Sequence, residues 1–332
     1  MKQVQLSHGG GGQESNTLIH DLFYKAFENE ILLKAEDAAV LRVSGEIAFT
    51  TDSFTVSPIF FNGGNIGKLA IAGTVNDLAM MGAKPRYLSS AFMIEEGFAF
   101  DELETIVQTM ADELAKCGAQ IVCGDTKVVP RGSVDRIFIN TTGVGEIRCP
   151  GISALNIRED DVIIVSRDIG RHGATVLMER EELQVTAALQ SDCEVLWPAV
   201  EALIEEKIAI SALRDATRGG LSAVLNEWAL SSNICLEIEE ASVPICDEVK
   251  GVCELFGFEA MDFANEGTFI LAVAPAHAQA ALEVLKRFDF CPDAAIIGRA
   301  TAKKPGKVIL HSAYGSSRYL ELPKGELLPR IC

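Results

Sequence analysis

Four aspartates, a lysine, a glutamate and a terminal cysteine are the residues of this sequence best suited to chemistry. Asp37 lies in EDAAVL, Asp52 in TTDSF, Asp77 inside the apolar run GKLAIAGTVNDLAMMG, and Asp125 in CGDTK with Lys127 two residues on. Hard cations such as Mg²⁺ take oxygen ligands and usually keep waters and substrate phosphates, so convergent aspartates suit a metal-nucleotide site without a Walker motif. The HGGGG run from His8 to Gly12 offers backbone amides that either wrap a phosphate or form a flexible start, since no Gly-Lys-Ser/Thr follows. Glu266, in FANEG, is a turn carboxylate, either solvated or a proton acceptor within a cleft. Cys332 closes the sequence as an exposed thiol whose thiolate is favoured by Arg330 and opposed by the adjacent carboxylate.

The elements that must position these groups are legible in outline. Residues 36–52 read as a hairpin turning at Ser44-Gly45, and that register sets Asp37 opposite Asp52. Two such charges about 5 Å apart repel by roughly 3 kcal/mol, a cost that a divalent cation reverses and a bulge avoids. Residues 67–82 form an apolar helix interrupted by Asn76-Asp77 and closed by Gly82. Gly73 and Thr74 lie one turn back from Asp77, so its surroundings are small and it must meet a cation, a donor or solvent. A strand over 87–94, a helix striped by Leu103, Ile106, Val107, Met110 and Leu114, and a strand over 119–127 ending at Asp125 follow. After a strand over 136–145, Cys149-Pro150-Gly151 marks the domain boundary.

The second half repeats a strand, loop, helix order twice, through DIGRHGA with a helix from Thr175 and through RDATRGGL. Each loop either aims helix amides at an anion or packs a helix tightly on a sheet. His172 is expected to hydrogen-bond within its loop, because no second ligand stands at metal spacing. A helix over 276–287 and strands over 294–297 and 307–311 complete the domain. Beyond them Pro323, Gly325 and Pro329 favour a mobile extended arm able to span up to about 60 Å. The expected units are 1–148, 149–314 and a tail of 315–332.

Composition bounds the functions available. The 332 residues are 48% hydrophobic, enough for two cores, and 29 Lys plus Arg against 47 Asp plus Glu give a formal charge of −18. That charge repels phosphate backbones and anionic membranes, so nucleic-acid and membrane binding are not expected. Nine cysteines without a C-x-x-C pair, and an opening without an apolar signal segment, point to reduced cytoplasmic thiols.

EDAAVL, TTDSF, GKLAIAGTVNDLAMMGAKP, CGDTKVV and RDATRGGL together resemble the ATP-dependent superfamily of aminoimidazole ribonucleotide synthetase, selenophosphate synthetase and thiamine-monophosphate kinase. HGGGG, FFNGGNIGKLAIAGTVNDLAMMGA, DIGRHG and the final PRIC are similar to the carbamoyl dehydratase family of hydrogenase maturation proteins within it. The resemblance implies a two-domain α+β fold. Its N-terminal sheet domain dimerises and holds Mg-ATP, its C-terminal α/β domain completes the cleft, and a flexible tail follows. It further implies a carbamoyltransferase that loads Cys332, dehydration of the thiocarboxamide to a thiocyanate with ATP, and delivery of cyanide to iron on a scaffold complex.

Carried over by motif, Asp37, Asp52, Asp77 and Asp125 are the Mg²⁺ and ATP acids, with Asn76, Gly10 and Gly11 beside the nucleotide. Cys332 is the carrier, and Lys127 and Glu266 serve the reacting end. Glu36 stands where relatives often have a second aspartate. Rival readings fit less of the sequence. Selenophosphate synthesis needs a reactive residue near the glycine run, yet no cysteine precedes Cys117; ribotide synthesis leaves Cys332 without a task; a non-catalytic thiol carrier leaves the four acids unexplained.

Overall fold

The structure is a computed structural model that describes residues 3–36, 38–181 and 189–323. Asp37 and Cys332 therefore lie outside the described residues. The chain begins with α1 (Gln13–Leu18), then β1 (Ile47–Phe54), the short β2 (Phe60–Phe61) and β3 (Gly64–Asn65), α2 (Ile66–Met80), β4 (Ala83–Glu95), α3 (Phe100–Cys117), β5 (Gln120–Val129) and β6 (Ile137–Ile147). Strands β1, β6, β4 and β5 form one sheet in that order, with β4 and β5 parallel and the other pairs antiparallel. Period-2 burial along β6 puts one face against α2, on which α3 packs in turn. The other face carries Phe49, Ile47 and Met93, all exposed.

β1 corrects the hairpin expected over 36–52. Its partner is β6, which sets Asp52 opposite Thr141, and residues 38–43 form no strand. The alternation of Ile47 to Phe54 fits any neighbour that leaves one face buried, so the Ser44-Gly45 turn signal supplied a partner that the tertiary fold overrides.

The second domain contains β7 (Val162–Val165), α4 (Arg171–Arg180), α5 (Trp197–Glu205), β8 (Ile210–Asp215), α6 (Gly220–Ser232), β9 (Cys235–Glu239), α7 (Asp247–Phe256), β10 (Phe269–Val273), α8 (Ala278–Leu285), β11 (Ala295–Thr301), β12 (Val308–His311) and β13 (Ser317–Tyr319). The sheet order is β13-β12-β9-β11-β7-β10-β8. Every residue of β10 is buried because both faces are covered, which is why it reads as an unbroken apolar run. Ile164, Leu271 and Val273 join the core that contains α5, α8 and the first domain, whereas Ile163, Val165 and Ile270 pack with α6 on the opposite face.

Several boundaries move, two of them for a visible reason. α4 starts at Arg171, four residues before the expected Thr175, because Gly170 with φ of 89° turns the chain directly into it. The tail expected from Gly315 contributes β13, whose Tyr319 pairs with Ile309, and Leu320 is buried behind it.

α2 is the element on which both domains close. Asn65 starts it: Oδ1 accepts the amides of Gly67 at 2.8 Å and Lys68 at 3.2 Å, and Nδ2 donates to the Thr109 hydroxyl of α3 at 2.9 Å. Asn65→Ala should lower stability by about 1–2 kcal/mol, seen as a lower urea midpoint, because it removes a cap and a helix-to-helix tie together. Asn65→Asp should keep the acceptor and recover part of that loss.

Candidate active site

The inner row of β1 brings Asp52 to the flank of α2, where Asp77 is one of two residues that escape full burial. The Thr50 hydroxyl donates to Asp77 Oδ2 at 2.6 Å. Burial first, and then the charge of Asp77, push the Asp52 carboxyl up to about 6, with Arg218 acting in the opposite direction. Asp215 reaches the same place from the end of β8. Burial, followed by the charge of Asp77, pushes it up to about 7. Glu266, 5% exposed in the turn before β10, is held well above the usual carboxylate range by burial, then by Asp215, Asp192, Asp52 and Asp77.

This acidic cluster fits a hard cation in one respect: the charges that raise the proton affinity of Asp52, Asp215 and Glu266 would be relieved by positive charge. Among the described residues no three His, Cys, Asp or Glu groups stand close enough to share a metal. Asp52 and Asp77 suit the sparser arrangement in which Mg²⁺ takes one or two carboxylates plus waters and phosphate oxygens.

Asp125 does not join them. It lies within β5, not at its end, and the registers run Asp125 to Ala91, Ala91 to Asn140 and Asn140 to Ser53. Three strand spacings, roughly 14 Å, therefore separate its row from the neighbour of Asp52. Directly paired residues share a face, so Asp125 and Ser53 lie on the outer face and Asp52 on the inner one. The ligands of one Mg²⁺ lie within about 4 Å of each other, which excludes a single ion shared by Asp52 and Asp125 of the same chain. Lys127 shares the outer face and pairs with Asp125 at 3.1 Å, both side chains being exposed.

Asp125 and Lys127 instead border a cavity of about 680 Å³ between the N-terminal segment and β5, with Phe23, Phe27, Glu36 and Ser90 among its walls. That volume suits a nucleotide-sized ligand, and its apolar walls suit a planar base. Glu36 and Ala38, the neighbours of Asp37, both line it.

Other expected ligands are committed elsewhere. The Gly10 amide donates to Ser7 O at 3.2 Å and the Gly11 amide to Ser15 Oγ at 2.9 Å, so the glycine run does not present these two amides to a phosphate. A Cβ on Gly9 would stand 2.6 Å from the Val128 nitrogen, which shows the run pressed against the edge of β5. Asn76 is buried with its amide spent on the second domain: Nδ2 donates to Glu194 O at 2.9 Å, and Oδ1 accepts the Leu196 amide at 2.8 Å. It is a domain tie, not a nucleotide ligand.

Of the two loop readings, tight packing prevails. Gly170 gives its amide to Asn265 Oδ1 at 2.6 Å, and a Cβ on Gly220 would meet Phe263 O at 2.4 Å. His172 hydrogen-bonds as expected, from α4 and not from a loop. Its Nδ1 pairs with Ser191 Oγ at 2.8 Å, and burial lowers it to about 4.

Known proteins share both the fold and its sequence. Residues 35–147 match the N-terminal domain, and residues 158–311 the C-terminal domain, of AIR synthase related proteins. Carbamoyl dehydratase HypE of Escherichia coli (strain K12) is 45% identical over 339 residues, covering 100% of both chains. This chain belongs to the HypE family. A crystal structure of hydrogenase maturation protein HypE in complex with ATP superposes with a TM-score of 0.95 at 44% identity, over 99% of each chain. A HypE-HypF complex structure matches with a TM-score of 0.81 at 44% identity, over 92% of this chain and 99% of that one. In this HypE-type fold Asp215 and Asp192 are the acids that sequence reasoning passed over. Asp215 stands inside RDATRGGL, a loop whose sequence fits either an anion site or tight helix packing; Asp192, in SDCE, has no motif to mark it.

The raised Asp215 carboxyl makes a signed prediction. Below its unfolded pKa of 3.8 it costs nothing; between there and about 7 the unfolded chain ionises first, and above that the full penalty falls on the folded state. Asp215→Asn should therefore raise the melting temperature of the nucleotide-free protein at pH 8, by about 5 °C or more, and by clearly less at pH 5. Thermal scans at the two pH values check this.

Proposed function

We propose that this chain is an ATP-dependent carbamoyl dehydratase that turns a thiocarboxamide on Cys332 into a thiocyanate, the source of cyanide for the iron of [NiFe] hydrogenase. The observation that carries the reading is Glu266, a buried carboxylate with raised proton affinity beside the Asp52 and Asp77 pair. A base in such a place holds its proton strongly once it has taken it, and it acts out of contact with bulk water. The names of the HypE relatives and the HypE complex with ATP support the activity and the nucleotide. The HypE-HypF complex supports a protein partner, the carbamoyltransferase, that loads the thiol.

The amide oxygen of a carbamoyl group leaves poorly. Its attack on the γ-phosphate of ATP releases ADP and converts it to a phosphate leaving group. Nitrogen loses one proton to Glu266, the acceptor we assign, as the oxygen attacks and a C=N bond forms; its second proton leaves with the phosphate as the C–O bond breaks and the C≡N bond forms. The oxygen departs in inorganic phosphate, and no oxidant or reductant is needed. Asp52 and Asp77 would hold Mg²⁺, which when bound supplies charge stabilisation on the phosphates. Lys127 offsets charge developing at the same end.

A homodimer reconciles these assignments with the distance between Asp52 and Asp125. The exposed outer face with Phe49, Ile47 and Met93 is an apolar surface for a second copy. In a two-fold pairing of sheets ordered β1-β6-β4-β5, β5 of one subunit approaches β1 of the other. Asp125 and Lys127 would then complete the nucleotide site of the neighbouring subunit. After dehydration the cyanide passes to an iron-carrying maturation scaffold, and the setting is cytoplasmic. Among the described residues no helix is long and apolar enough to cross a membrane.

Intact mass spectrometry after incubation with the carbamoyltransferase, its substrates and ATP should show a carbamoyl adduct on Cys332 followed by loss of water. An adduct that persists with ATP present would contradict the assigned reaction. Glu266→Gln should bind ATP normally yet slow the loss of water by about a hundredfold or more to a residual rate, and normal turnover would remove Glu266 from the mechanism. Asp77→Asn should weaken Mg-ATP binding at least tenfold by isothermal titration; unchanged affinity would rule out its role with the metal.

A further inference from the structure

The turn that carries Glu266 is gripped from two sides. Asp192 is 2% exposed. Its Oδ1 accepts the Glu266 amide at 3.2 Å, and its Oδ2 accepts both the Gly267 amide at 3.0 Å and the Thr268 hydroxyl at 2.8 Å. Three donors converging on one buried carboxyl group fix its geometry closely. The contact leaves no slack, because a Cβ on Gly267 would lie 1.7 Å from the Asp192 carbonyl oxygen.

The second grip joins a neighbouring segment to the first domain. Glu194, two residues beyond Asp192, donates its amide to Glu266 O at 3.3 Å. Asn76 donates to Glu194 O at 2.9 Å and to Glu266 O at 3.5 Å. Asn76 and Asp77 are consecutive on α2, so one rigid helix holds both the turn of Glu266 and half of the acid pair facing β1.

We propose that Asp192 is a positioning residue for Glu266, locking the turn of residues 265–268 so that its carboxylate keeps one place relative to α2, with Asn76 setting the register between domains. This rests on the reading of Glu266 as the base. The Glu266 backbone cannot shift without breaking the bonds to Asp192, which leaves only side-chain torsions to place the carboxylate. A displacement of about 1 Å at a reacting group is enough to cost up to a hundredfold in rate. His172 and Ser191 extend the support outward, since Ser191 Oγ also accepts the Cys193 amide at 3.1 Å and so fixes the segment on either side of Asp192.

The test is Asp192→Asn in the full chain, with the single-turnover loss of water from carbamoylated Cys332 followed by mass and Mg-ATP affinity measured separately. The expected result is a rate about 10- to 100-fold lower, with carbamoylation and Mg-ATP affinity changed by less than about twofold. In a Glu266→Gln background the same substitution should add no further loss. Hydrogen exchange should show the Glu266 and Gly267 amides at least tenfold faster while α2 stays protected. An unchanged rate, an equal loss in both backgrounds, or unchanged exchange at 266–267 would overturn the proposal. Normal turnover by Glu266→Gln alone would instead sink the base assignment on which it rests. If Asp192→Asn does not fold, Thr268→Val removes one of the three bonds and should slow the reaction, with Thr268→Ser restoring it; equal rates for the two would overturn the proposal.

Discussion

The burial of α2 on nearly every side is the constraint from which the rest follows. Lys68 and Asp77 alone among its fifteen residues are not fully buried. A helix so enclosed has no solvent stripe, so its polar groups must be satisfied by the elements around it. Asn76 meets this requirement by bonding the 194–196 backbone of the second domain, and Asp77 by accepting from Thr50 of β1. Satisfying α2 therefore also fixes the angle between the two domains.

Small residues make this packing feasible. A Cβ on Gly73 would fall 2.8 Å from the Phe54 ring, and one on Gly143 2.8 Å from the Thr74 methyl. Helix and sheet thus approach to a distance that larger side chains would prevent. The ion pairs of Lys84 with Glu201 and Lys116 with Glu194 cross the same boundary, but their lysines are partly exposed. Such pairs contribute little next to the buried contacts and the Asn76 bonds.

Closing the domains has an electrostatic consequence. Asp52 and Asp77 from one side meet Asp215 and Glu266 from the other, and burial together with the Asp77 charge raises the proton affinity of Asp52, Asp215 and Glu266. An arrangement that costs stability in the free protein is what a site for a cation and a phosphorylated substrate requires. The glycine run took the opposite course, satisfying its own amides and covering the edge of β5, where an uncovered strand would invite pairing with another chain.

Local pattern alone determined much of this protein. The apolar run of α2, the stripe of α3, the unbroken β10 and the alternation along β6 each follow from periodicity, because which side of an element is buried is written in its own residues. Motif content likewise marked Asp52, Asp77 and Glu266 as chemical residues. Tertiary structure decided which of them meet. Asp52, expected in a local hairpin, pairs through β6, Asp125 lies on the opposite face three strands away, Asp192 meets the Glu266 turn through packing within the second domain, and Asp215 meets Asp52 and Asp77 only where that domain closes on α2. Strand partners and domain contacts join residues far apart in the chain, and no local spacing records a distance set by a sheet's register or by the closure of two cores.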